Sequence, residues 1–136
     1  MLSQENLEKR LQYWQEILGL QNKNIRISYK NKQELDKIYQ QSSLFAYGLI
    51  EFFPHPTIYL NEELDEEMID LTIIHELLHL YFDPYDSVIV KILNYLPPKK
   101  QEIAQLLGKE AADTREILIN ELADIIFHLA AAKWKK

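Results

Sequence analysis

The chain contains no cysteine. That excludes a disulfide framework and any thiolate metal site, so a bound metal would rest on His, Asp, Glu or water. Glycine is scarce, with three in 136 residues, which leaves no Gly-rich loop to cradle a phosphate. No apolar run approaches the ~20 residues of a membrane span. The opening MLSQENLEKRLQYWQEIL is charged and amphipathic, unlike a secretory signal. Base is in deficit too: 15 Lys and Arg stand against 21 Asp and Glu, a formal charge of −6. Such a balance argues against a phosphate-binding surface. A cytoplasmic protein with no membrane and no nucleic-acid partner is the expectation.

What is present is a chain of ordinary globular composition, 47% hydrophobic, long enough for one domain over residues 1–136. Leu7, Leu11, Trp14 and Leu18 recur at helical spacing over 2–18, with Gly19 placed to end the helix. NIRISYK (24–30) alternates like a half-buried strand. Residues 32–41 read as a short polar helix. SLFAYGLIEFF (43–53) and TIYLN (57–61) read as two strands of a hairpin, turned at Pro54 and Pro56. Asn61 is a fitting N-cap for an acidic first turn, and the helix it opens is predicted to stop at Asp83-Pro84. Three further helices are predicted, over about 86–96, 98–108 (closed by Gly108) and 113–134. The sum is an α+β domain: a small, mostly antiparallel three-stranded sheet, a central helix and a C-terminal glutamate-bearing helix.

The chemistry sits in IIHELLHLYFD (73–83). On a helix, residues four apart differ by ~40° in direction and ~6 Å in height. His75 and His79 therefore project as neighbouring imidazoles able to share one metal ion. Glu76, turned by ~100°, is better placed to touch a water held on that metal than the metal itself. This is the mechanical sense of H-E-x-x-H: two ligands and a base. Buried histidines at this spacing can also be plain core residues. Against that, a carboxylate and two imidazoles in the most apolar part of a helix cost several kcal/mol if unpartnered.

Zinc needs a third protein ligand. Asp83 lies one turn beyond His79, but three ligands in line on one straight helix do not converge on a tetrahedral centre. Glu121, in INELADIIFH (119–128), is the better candidate, on an amphipathic helix expected to pack against the first. Asp124, three residues later, is placed to accept the ring N–H of a liganding histidine.

HELLH (75–79), followed by NELAD (120–124), resembles the gluzincins, the thermolysin-like zinc peptidases. The interval from Glu121 to Asp124 is one residue shorter than in the thermolysin pattern. At this length the chain resembles a minimal gluzincin domain, of the minigluzincin kind or of the related ImmA/IrrE-like peptidases of bacteria and phages. WQEILGLQNKNIRISY (14–29) is similar to the opening of such domains. The resemblance implies one zinc per chain on His75, His79 and Glu121, with Glu76 as general base and acid. It implies an edge strand that holds an extended peptide or protein substrate, here through Ala46, Tyr47 and Gly48. It also implies an oxyanion donor near the metal: His128, or one of Tyr47, Tyr81 and Tyr85. Small relatives can be latent, and the C-terminal AAAKWKK is a candidate to occlude the cleft.

Two rival readings remain at this point. One is a non-catalytic module that keeps zinc for stability. The other is a DNA-binding regulator, because Ala104 and Gly108 have helix-turn-helix spacing in EIAQLLGKEAADTREIL (102–118).

Overall fold

The computed structural model describes residues 1–39 and 47–134, except the side chains of 38–39 and 131–134. Helix α1 (Gln4–Ile17) opens on Ser3, whose Oγ accepts a bond from the Asn6 amide at 3.2 Å. Leu7, Leu11 and Trp14 form its buried stripe. Gly19, at φ 72°, takes the left-handed conformation that reverses the chain after the helix. Strand β1 (Arg26–Lys30) follows, then α2 (Lys32–Tyr39), β2 (Gly48–Glu51) and β3 (Thr57–Asn61).

The sheet order is β1-β3-β2. β2 and β3 form the expected antiparallel hairpin, and β1 adds parallel to β3, so the pairing is mixed. Ile27, Ile58 and Leu60 face the core. There they meet the α1 stripe and Ile69, Ile73, Ile74 and Leu77 of α3 (Glu66–Asn94). A polar tie fixes α1 to α3 just ahead of the histidines. Asp70, 3% exposed, accepts from the Trp14 indole at 3.0 Å and from Arg10 at 3.2 Å.

Three boundaries differ from the sequence reading. α3 starts at Glu66, with Asp65 as its N-cap, and not at Asn61. Asn61 instead holds a tight turn, accepting from the Glu63 amide at 2.9 Å on its side chain. α3 also runs through Pro84 to Asn94. Proline removes one backbone donor, and packing along α4 over many turns outweighs that loss. Finally, the predicted helices 98–108 and 113–134 are one: a 3₁₀ turn (Pro98–Lys100) leads into α4 (Gln101–Trp134). Gly108 does not cap. It sits where α4 approaches α3, and a Cβ there would lie 3.3 Å from Leu93 Cδ1. The segment 102–118 contains no turn, so the helix-turn-helix reading lacks its central element.

No helix of the described residues is long and apolar enough to cross a membrane. Of the C-terminal AAAKWKK, residues 131–134 continue α4, and the side chains that would occlude a cleft lie outside the described residues.

Candidate metal centre

α3 is buried along Ile73, Ile74, Leu77 and Leu78. That packing fixes the rotation of the helix and turns His75 and His79 toward α4. Their Nε2 atoms stand 3.2 Å apart. Glu116 of α4 closes the group. Its Oε1 lies 3.0 Å from His75 Nε2, and its Oε2 lies 3.3 Å from His79 Nε2. These three residues are the one such cluster among the described residues.

The donor set fits zinc. Zinc–nitrogen and zinc–oxygen bonds of ~2.0–2.2 Å put the ligand atoms of a tetrahedron about 3.3 Å apart. The separations of 3.0 to 3.3 Å found here match that edge. The bonding chemistry points the same way. Two imidazole nitrogens and a carboxylate share one focus, and a neutral imidazole nitrogen facing another can offer at most one proton to it. A cation at the focus satisfies all the lone pairs at once.

Glu76, 6% exposed, lies beside this group. Burial pushes its pKa up, and the two nearby histidines offset part of that rise. The pKa of Glu116 is held well below the ordinary carboxylate range by its hydrogen bonds to His75 and then His79. Burial opposes the charged form of His75, yet the Glu116 hydrogen bond and the charge of Glu76 outweigh it, so the His75 pKa is raised. Asn120, one turn beyond Glu116 on the same cleft wall, also favours the charged form of His75.

These shifts give a pH prediction. Zinc must displace the proton from His75, whereas Glu116 is already ionised. Zinc affinity should therefore fall at least tenfold per pH unit on the acid side of the raised His75 value, since every ligating nitrogen must be free of its proton, and level off above it. The plateau should begin above the ordinary histidine value of 6.5. Competition titration with a chromogenic chelator between pH 5.5 and 8.5 reads this directly. An affinity already flat from pH 6 upward would contradict it.

A cleft of about 500 Å³ opens on the group. His75, Glu76 and Thr72 of α3 form one side, and Glu116, Asn120 and Asp124 of α4 form another. Tyr47 and Gly48, at the start of β2, form the rim. β2 pairs with β3 on one edge only, so its other edge is free of strand pairing among the described residues. Gly48 is tightly held: a Cβ there would lie 2.8 Å from the Tyr59 carbonyl oxygen and 2.9 Å from Thr72 Cγ2. Gly48→Ala must therefore lift β2 away from α3. We expect it to cost ~1–3 kcal/mol, read as a lower midpoint in urea unfolding. An unchanged midpoint would show that the strand has room.

The sequence-predicted residues divide clearly. His75 and His79 come together, and Glu76 lies on the wall of the adjoining cleft. Glu121 does not join them: it is exposed and absent from the cleft wall, and Glu116 takes the place expected of it. The helical wheel supplies the reason. α4 packs through Ile119 and Ala123, and Glu121 lies two residues from each, ~160° around the helix from both. Glu116, three residues before Ile119, lies ~60° from that buried face. The pattern E-x-x-I-N-x-x-A was the available signal.

Asp83 continues α3 beyond His79, outside the group. Asp124 lines the cleft, while the carboxylate that meets the His75 ring is that of Glu116. His128 is exposed, its ring tilted toward that of Phe127, and absent from the cleft wall. It stands twelve residues, or ~18 Å, along α4 from Glu116. Of the tyrosines considered, Tyr47 reaches the cleft, whereas Tyr81 and Tyr85 do not line it. Ala46 lies outside the described residues.

Comparison with known families agrees with this geometry. The model of the IrrE N-terminal-like domain, a peptidase family, matches residues 20–123. No curated protein and no solved structure matches the chain.

Proposed function

Since the chain belongs to the IrrE N-terminal-like peptidase family, we propose that it is a zinc metallopeptidase whose metal rests on His75, His79 and Glu116. The observation that carries this reading is the convergence of three donor atoms from two helices beside a buried glutamate. When bound, zinc lowers the pKa of a coordinated water to ~7 and polarises a carbonyl as a Lewis acid.

The side chains do the rest. Glu76 accepts a proton from the attacking water and delivers it to the departing amine. Its raised pKa suits both halves of that task, since a base nearer neutrality both takes and returns a proton readily. Asn120 orients the His75 ring, and Asp124 on the same wall is available to position the second histidine or a substrate amide. An extended peptide or protein substrate lies along the free edge of β2, pairing with the backbone at Gly48, since the Tyr47 carbonyl is turned to β3 and accepts from the Asn61 amide at 2.9 Å. The Tyr47 hydroxyl, on a half-exposed side chain at the rim, is the candidate donor to the tetrahedral oxyanion.

The test is cleavage of a diverse peptide library by the zinc-loaded chain, with products identified by mass spectrometry. Cuts that vanish with a chelator and return with zinc support the reading. Full zinc occupancy with no cut in any peptide would leave a non-catalytic, zinc-stabilised module.

A further inference from the structure

Beyond the metal centre, α3 and α4 continue as a two-helix hairpin. Asn94 stands fifteen residues past His79, so the hairpin projects ~22 Å from the site. One face of it is apolar and uncovered among the described residues. Tyr81, Tyr85, Val88, Ile92 and Tyr95 are 49% to 87% exposed. They recur at intervals of four, three, four and three, the spacing of a coiled-coil seam. Ile89 beside them, with Leu107 and Leu118 of α4 across the groove between the helices, extends the patch, each 37% to 48% exposed.

We propose that this hairpin is a dimerisation arm that packs antiparallel against the hairpin of a second copy of the chain. Three observations fix the occupant and its direction.

The first is area. The three tyrosines expose roughly two whole side chains between them, or ~300–500 Å² at the usual 150–250 Å² each. With the five aliphatic residues the face reaches the order of the ~800 Å² that each partner contributes to a standard interface. Monomers rarely leave a contiguous patch of that size in water.

The second is charge. Residues 91–101, at the tip, contain Lys91, Lys99 and Lys100 and no acid. Glu110 and Asp113, about three to four turns back along α4, are exposed. Of the two bases nearby, Arg115 is engaged with Asp86 at 2.9 Å and Lys109 is exposed beside Glu110, which leaves the root with a net negative charge. Antiparallel packing sets each basic tip against the acidic root of the other copy. Parallel packing would stack six lysines together.

The third is shape. A groove of about 500 Å³ runs between the two helices at the root, lined by Phe82, Tyr85, Ile89, Leu107 and Leu118. The overlap that sets Lys99 and Lys100 against Glu110 and Asp113 also brings Tyr95 of the second copy, 87% exposed, to this groove. A tyrosine seated in a pocket is a favoured anchor at an interface. A two-fold arrangement makes the contact twice.

The inference is independent of the peptidase reading, and its test needs neither metal nor substrate. Sedimentation equilibrium of the full chain, with and without chelator, should show a reversible dimer in the micromolar range. Val88→Asp with Ile92→Asp, exposed positions where the fold tolerates charge, should weaken it by at least ~100-fold. Glu110→Lys with Asp113→Lys should weaken it about tenfold at low salt. Adding Lys99→Glu and Lys100→Glu to that variant should restore it. A wild-type chain that stays monomeric at 100 μM would overturn the proposal. So would a dimer indifferent to the apolar changes. A charge swap without rescue would overturn the antiparallel register, and a face occupied only by a different protein would overturn self-association.

Discussion

Glu76→Gln is expected to abolish peptide cleavage, by ~10²–10⁴-fold, while zinc stays bound. The side chain keeps its size, and it is not one of the three converging ligands. What it loses is the ability to take a proton. Circular dichroism and zinc content should match the wild type. A variant that cuts at a comparable rate would move the base elsewhere in the cleft.

The same substitution should raise the stability of the metal-free protein. Glu76 is 6% exposed and its pKa is raised by burial. In the unfolded chain this carboxyl ionises at its ordinary value; in the folded chain it ionises only at higher pH. The folded state is therefore penalised progressively as pH climbs between those two values, and fully above the higher one. Glutamine removes that penalty. A gain of ~1 kcal/mol, or a few degrees in Tm, is expected at pH 8, and it should disappear by pH 4. The function and the stability of this residue thus pull in opposite directions, as expected where an active site holds a group that the core would reject.

Glu116→Ala is expected to cost more at the metal than any other single change outside the histidine pair. Zinc bound by a small protein site is worth ~10–16 kcal/mol in favourable cases, shared among its ligands. Losing one of three protein ligands should weaken binding by on the order of 10³-fold. The change also strips the two histidines of their shared carboxylate, at 3.0 and 3.3 Å. His75 then loses the main influence that raises its pKa. Its residual zinc binding should accordingly show a pH dependence displaced toward acid. NMR titration of the ring protons in the metal-free variant would reveal that shift.

Much of the fold follows from local signals. Leu7, Leu11 and Trp14 form the predicted stripe of α1, and Ile58 and Leu60 alternate inward on β3 as TIYLN implies. The H-E-x-x-H pair is legible because helical geometry alone makes His75 and His79 neighbours. The helix ends were harder. Pro84 and Gly108 are strong punctuation in isolation, yet both lie inside long helices. Packing between α3 and α4 continues across them, and tertiary contact outweighs a weak local preference.

That Glu116 and not Glu121 faces the histidines has a related cause. NELAD drew attention to Glu121 through resemblance, whereas the buried residues Ile119 and Ala123 set the rotation of α4. Reading the apolar face before the acidic residue places Glu116 inward and Glu121 outward. The order of α1, the sheet and α3 was within reach of periodicity. The parallel addition of β1 to β3 was not, because no pattern within either strand records which neighbour it will take.

Which glutamate meets the histidines decides the site. The decisive measurement is zinc per chain, by elemental mass spectrometry after exhaustive dialysis, for the wild type, Glu116→Ala and Glu121→Ala side by side. About one zinc, almost none and about one are the predicted values. Zinc retained in Glu116→Ala and lost in Glu121→Ala would contradict the site described here.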